Sequence, residues 1–132
     1  MADRTRALEN LERAMAELES YAALPVTNRR DKAGLIQAFE FTFELFWKTF
    51  QKIAPDSGLE AVSPREALIA GLKLHLITDE EAGTWSQMLR DRNLSSHTYN
   101  AALADEIVER LLGSYLACFR ATIERTRRIG LS

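Results

Sequence analysis

Between Asp91 and Asn100 the chain reads Asp-Arg-Asn-Leu-Ser-Ser-His-Thr-Tyr-Asn, its densest run of groups able to act on a substrate. Arg92 offers a planar guanidinium whose forked donors suit a phosphate. His97 can carry a proton near neutral pH, and Tyr99 presents a phenolic hydroxyl. Asn93, Ser95, Ser96 and Thr98 add short hydrogen-bonding side chains between them. If the run stays helical, Arg92, Asn93, Ser96, His97, Tyr99 and Asn100 share one arc of about 160°, at roughly 100° per residue. If the helix breaks at Asn93 and Ser95, which cap helices better than they extend them, the same groups line a loop facing the next helix. Both geometries gather them. A purely structural reading stays open as well, in which Arg92 pairs with a carboxylate, Asn93 and Ser95 act as caps, and His97 and Tyr99 are interface residues.

Two other features could carry chemistry. Glu40 and Glu44 lie one turn apart on a helix face, a spacing open to acid–base work or metal binding. They serve equally to pair with an arginine such as Arg90 or Arg92 and so orient the site from behind. His75 stands alone near a helix end, which makes it a surface or capping residue before a metal ligand.

The elements that must position these groups follow a helical period. From Asp3 to about Ala23, Leu8, Leu11, Met15 and Leu18 recur at spacings of three and four. Pro25 ends that helix. From about Asp31 to Ile53, Ile36, Phe39, Phe43, Phe46, Phe50 and Ile53 make one stripe, and Ala38, Phe41 and Leu45 a second, roughly opposite. A helix apolar almost all round is buried on two sides, inside a bundle or between a bundle and another subunit. Ala54 to Val62 reads as a turn-rich loop. Ser63, Pro64 and Glu66 then form a helix start, with a capping box opening a short helix to about His75. Thr78-Asp79-Glu80-Glu81 repeats the pattern ahead of Trp85, Met88 and Leu89. A last long helix spans about Ala101 to Arg128, through Ile107, Leu111, Tyr115, Cys118 or Phe119, and Thr122 or Ile123; Asp105, Glu106, Glu109 and Arg110 are expected to face elsewhere, and Gly130 to stop it.

No stretch alternates with the period of a strand, and no glycine-rich phosphate loop is present. The expected architecture is all-α, an up-and-down helical bundle of about five helices, three long and two short. The 132 residues are expected to form one domain, 1–132. With 46% apolar and 27% charged residues and a net charge of −2, the chain is composed like an ordinary globular protein. A polyanion site must therefore be local, because the total charge gives no bulk attraction. One cysteine, Cys118, allows neither an internal disulfide nor a cysteine metal cluster. No apolar run reaches the roughly 20 residues of a membrane span, so a cytoplasmic location is expected, with no membrane contact.

The run from Arg92 to Tyr99 matches the Arg-x4-His-x-Tyr motif of the HEPN superfamily. Gln37 to Lys48, Ser63-Pro64-Arg65-Glu66 and Asp91-Arg92-Asn93 extend the match, in order, over roughly residues 6 to 125. On these blocks the chain resembles the nucleotidyltransferase substrate-binding protein family of that superfamily. The resemblance implies a HEPN-like helical homodimer, the toxin half of a toxin–antitoxin pair working beside a minimal nucleotidyltransferase encoded nearby. It implies a metal-independent ribonuclease needing no cofactor, acting on RNA, with tRNA among the candidates. Arg92 and His97 would be the catalytic pair, Asn93 and Ser96 polar support with Glu40 and Glu44 behind them, and Tyr99 the hydroxyl on which the partner enzyme places AMP. The alternative is a non-enzymatic subunit that binds nucleotide or substrate for that enzyme. With one motif histidine per chain, separate acid and base require two chains, so the site would be composite across a dimer axis.

Overall fold

The structure, a computed structural model, describes residues 2–130; the ends of the expected 1–132 domain, and whatever follows Gly130 as helix stop, lie outside the described residues. Six α-helices account for most of the chain: α1 (Ala2–Ala22), α2 (Arg29–Ile53), α3 (Pro64–Lys73), α4 (Ala82–Leu94), α5 (Ala101–Arg110) and α6 (Leu116–Gly130). A π-helical turn, Leu111–Tyr115, joins α5 to α6 in one rod. Counted as rods there are five, three long and two short, and the described residues contain no strand. This is the expected all-α bundle. Among them, no helix is long and apolar enough to cross a membrane.

The centre is α2, which packs on α1, α3, α4 and α5. Its first stripe is buried throughout, and Phe39, Phe43, Phe46 and Phe50 lose all contact with water. Burying each contributes roughly 1.5–3 kcal/mol. They meet Trp85 of α4 and Phe119 of α6, with Phe46 stacked on Phe119 at 4.9 Å between ring centres and edge-on to Trp85 at 5.2 Å. The apolar side chains of all six helices join in one continuous cluster. α3 comes close to α2 because residue 71 is glycine: a Cβ there would stand 3.1 Å from both Ile77 Cδ1 and Phe50 Cδ2.

The second stripe of α2 is divided. Ala38 is buried and Leu45 half-buried, but Phe41 is 56% exposed. Among the described residues, then, the second stripe of α2 is covered at Ala38 and left open at Phe41.

Both expected helix starts form, though at the first the glutamate reaches one residue beyond the N-cap. The Glu66 amide donates to Ser63 Oγ at 3.2 Å, while Glu66 reaches back to the Val62 amide at 3.0 Å. At the second, the Glu81 amide donates to Thr78 Oγ1 at 3.2 Å and the Thr78 amide to Glu81 Oε1 at 3.0 Å. The box spans a turn, and regular helix begins only at Ala82. His75 is exposed, with φ at +60°. It is the left-handed residue just past α3 that lets the Leu76 and Ile77 amides return to the Gly71 carbonyl. That is a capping role.

Candidate functional site

The Asp91–Asn100 segment resolves into three short pieces. α4 continues through Asn93 to Leu94, a 3-10 turn covers Ser95–His97, and Asn100 caps α5. Ser95, nearly buried, donates its hydroxyl to the Arg92 carbonyl at 2.8 Å, which closes the end of α4. Thr98 Oγ1 donates to the Ser95 carbonyl at 3.0 Å. Asn100 Oδ1 accepts from the Ala102 and Leu103 amides at 3.0 and 3.3 Å, satisfying two of the open donors that begin a helix. The segment is thus neither wholly helix nor wholly loop, because each cap residue stops one helix or starts the next.

Those caps fix where the reactive groups point. Tyr99 is 76% exposed, and its hydroxyl lies 3.5 Å from His97 Nδ1, with the two rings edge-on at 5.9 Å. His97 is likewise exposed. Arg92 turns toward α2, where its guanidinium donates to Glu44 at 3.3 Å. The expected pairing of Arg92 with a carboxylate is therefore present, through Glu44. Glu40 lines the same surface cleft as Arg92, Glu44 and the exposed Phe41, without an ion pair among the described residues. Arg90 bonds Gln87 instead of a glutamate. Asn93 and Ser96 are exposed and make no side-chain hydrogen bond among the described residues. Arg92 and the His97–Tyr99 pair sit on one short segment but share no hydrogen bond among the described residues.

The Arg92–Glu44 pair is held loosely. Its side chains are 42% and 29% exposed, and such pairs contribute at most about 1 kcal/mol. Lys48 stands 3.4 Å from the other Glu44 oxygen. Glu44 therefore keeps a cation if Arg92 leaves, and Arg92 can turn to another anion at little cost.

Immediately before Arg92 the opposite holds. Asp91 is wholly buried and takes two bonds from Arg110, Nε at 2.8 Å and a terminal nitrogen at 2.7 Å. The Tyr115 hydroxyl adds a third at 2.5 Å, and the Gln87 amide approaches to 3.4 Å. Hydrogen bonding to Asp91 holds the Arg110 guanidinium more firmly protonated than usual. Burial, together with its bond to Asp91, raises the Tyr115 hydroxyl above the ordinary phenol range. So Tyr115 stays a donor.

Arg110 does not face elsewhere, as the helical period of the last helix suggested. In an α-helix, residues five apart diverge by roughly 140°. The π turn closes its ring one residue later, so Arg110 and Tyr115 come to the same face. The sequence did carry a signal: Asp91 follows Met88 by three and Arg110 follows Ile107 by three, placing two opposite charges in phase with apolar stripes on neighbouring helices.

A family model described as nucleotidyltransferase substrate binding protein like matches residues 5–128. The crystal structure of ttk003001694 from Thermus thermophilus is similar at 37% identity and a TM-score of 0.81, covering 89% of this chain and 99% of its own. No curated protein matches the chain. The family match spans both capping boxes, the aromatic core helix and the whole Asp91–Asn100 segment, and on it the chain belongs to the nucleotidyltransferase substrate binding protein like family.

Proposed function

We propose that this protein is a HEPN-type toxin, a metal-independent endoribonuclease with a site shared across a homodimer, switched off when a partner minimal nucleotidyltransferase transfers AMP to Tyr99. The observation that carries it is the His97–Tyr99 pair. A histidine able to exchange protons stands in the open beside a phenol presented to solvent, 3.5 Å away.

In this reading the RNA 2′-hydroxyl attacks the adjacent phosphorus. The new 2′-oxygen–phosphorus bond forms as the bond to the 5′-oxygen breaks, giving a 2′,3′-cyclic phosphate and a 5′-hydroxyl. His97 takes the 2′-hydroxyl proton, and His97 of the partner subunit protonates the leaving oxygen. Arg92 turns from Glu44 to the phosphate as charge develops. The exposed Phe41 beside the Arg92 cleft supports burial of that face against a second copy. An AMP on Tyr99 would set a phosphodiester charge beside His97 and exclude RNA phosphate. The open site suits single-stranded RNA, whose bases can be splayed out.

The second reading, a subunit that only binds substrate or nucleotide for the nucleotidyltransferase, draws on the family's description and on Arg92 resting in an ion pair. Incubating the protein and its His97→Ala variant with tRNA and single-stranded RNA, chelator present, separates the two. Cleavage by the unaltered protein alone, leaving cyclic phosphate ends, is the expected result. No cleavage by a folded dimer moves the assignment to the second reading. Tyr99→Phe should keep cleavage and lose labelling by the partner.

A further inference from the structure

The N-terminal ends of α2 and α5 enclose a cleft of about 310 Å³ that Thr98 also lines. Arg29, Arg30 and Lys32 line it from α2, and Asp105 from α5, over a floor that includes Ile36. The one lining carboxylate, Asp105, is bound to Lys32 at 2.5 Å. Asp31, next in sequence to Arg30, is held away: the Thr27 amide and hydroxyl both donate to it at 3.0 Å, and these bonds keep its carboxyl below the usual range. Arg30 feels the Asp31 charge but, like Arg29, makes no ion pair among the described residues. Three cations against one carboxylate leave the cleft positive.

The position of those arginines runs against local physics. They are the first two residues of α2, capped by Asn28, where the helix dipole disfavours cations. A departure from a local rule, without a structural partner in return, is what a binding site looks like. The cleft also shares Thr98 with the motif, and Thr98 lies between His97 and Tyr99. Its volume is at the small end for ligand sites, enough for one nucleotide and too narrow for a duplex.

We infer that this cleft is a subsite for single-stranded RNA, in which Arg29 and Arg30 hold a phosphodiester next to the one at His97 and the Ile36 floor receives the adjoining ribose or base. The inference rests on the ribonuclease reading for its substrate class only; binding can be measured without cleavage.

The test uses the His97→Ala protein and a 5′-fluorescein single-stranded RNA, with anisotropy followed from low to high salt. Losing the contact to one phosphate on a single strand should lower the salt slope by about 0.7 and weaken binding about 5-fold at 0.1 M salt. Arg29→Ala/Arg30→Ala should do this, and it should fold well because it removes cations from a helix's positive end. Arg6→Ala/Arg13→Ala, on the exposed face of α1, should change neither quantity. An unchanged slope in the first variant, an equal loss in the second, or no RNA binding at all overturns the inference. Repeating both pairs with His97 intact separates this inference from the proposed activity. Cleavage untouched by Arg29→Ala/Arg30→Ala removes the subsite alone, whereas slope-dependent binding without cleavage by the unaltered protein removes the nuclease alone.

Discussion

Removing Arg110 should be among the most damaging single changes near the site, although a third of its side chain is in water. Asp91 is 0% exposed and is held by Arg110 through two bonds of 2.8 and 2.7 Å. In Arg110→Ala the buried carboxylate keeps only the Tyr115 hydroxyl at 2.5 Å and the Gln87 amide at 3.4 Å. Stranding one partner of a buried pair costs about 3–5 kcal/mol. Because the Arg110 side chain is 32% exposed, water can enter the space it leaves, which places the loss near the lower end, about 3 kcal/mol. Tyr115→Phe is milder. It keeps the ring stacked on Phe39 at 5.5 Å and deletes one hydrogen bond to a charged group, worth about 1.5–3 kcal/mol.

Urea unfolding followed by circular dichroism measures both changes. With a slope near 1.5 kcal/mol per molar, a 3 kcal/mol loss lowers the midpoint by about 2 M. Because both donors serve one carboxylate, the double variant should depart from additivity by at least about 0.5 kcal/mol. A loss below about 1 kcal/mol for Arg110→Ala, or strict additivity, would refute the account of Asp91 as a buried charge held jointly by the two.

Three further outcomes follow from particular residues. His75→Gly should raise stability by about 1 kcal/mol, read as a higher melting temperature in calorimetry, since residue 75 holds φ at +60° and glycine adopts that region without strain. Burial pushes the Glu81 carboxyl up, but hydrogen bonds from Arg125 and the Thr78 amide outweigh it, so the folded value lies below the unfolded one. The pair therefore stabilises above the unfolded carboxylate range and is lost as pH falls through the folded value; the stability gap between the protein and Glu81→Gln should narrow below about pH 4, and a gap that widens there would reverse the sign. Burial above all pushes the Cys118 thiol up to about 12, so a thiol reagent at pH 8 should react no faster than the protein unfolds.

Much of the fold was legible because its causes are local. Ser63 with Glu66 and Thr78 with Glu81 bond within four residues, and the aromatic stripe of α2 needs only the helical period to declare itself. The site segment was legible in composition but not in path. Asn93 and Ser95 are compatible with ending a helix or continuing it, and what decides is the Ser95 hydroxyl on the Arg92 carbonyl together with the Asn100 cap. The Asp91 network escaped because its partners lie 19 and 24 residues away and meet only through the π turn. Its trace was the slip in register along the last helix, where Cys118 and Phe119 competed for one stripe; both are buried. The exposed Phe41 was the least legible feature, since an apolar side chain reads the same whether its own chain or another covers it.

Asp91 and Arg92 are neighbours treated in opposite ways, and the contrast bears on the ribonuclease mechanism proposed above. An arginine that meets a phosphate only in the transition state must leave its resting partner cheaply, or the ion pair would oppose the reaction. Glu44 is such a partner, partly in water and already shared with Lys48. The backbone carrying that arginine must not move, because an error of about 1 Å in placement can cost on the order of a hundredfold in rate. The burial of Asp91 under two donors from another rod supplies that fixity one residue away. On the proposed ribonuclease reading, Arg110→Ala should therefore lower cleavage under conditions where the variant is still fully folded, with kcat falling more than KM rises. Lys48→Ala, which leaves Glu44 to Arg92 alone, should lower activity by tightening the resting pair and leave stability nearly unchanged.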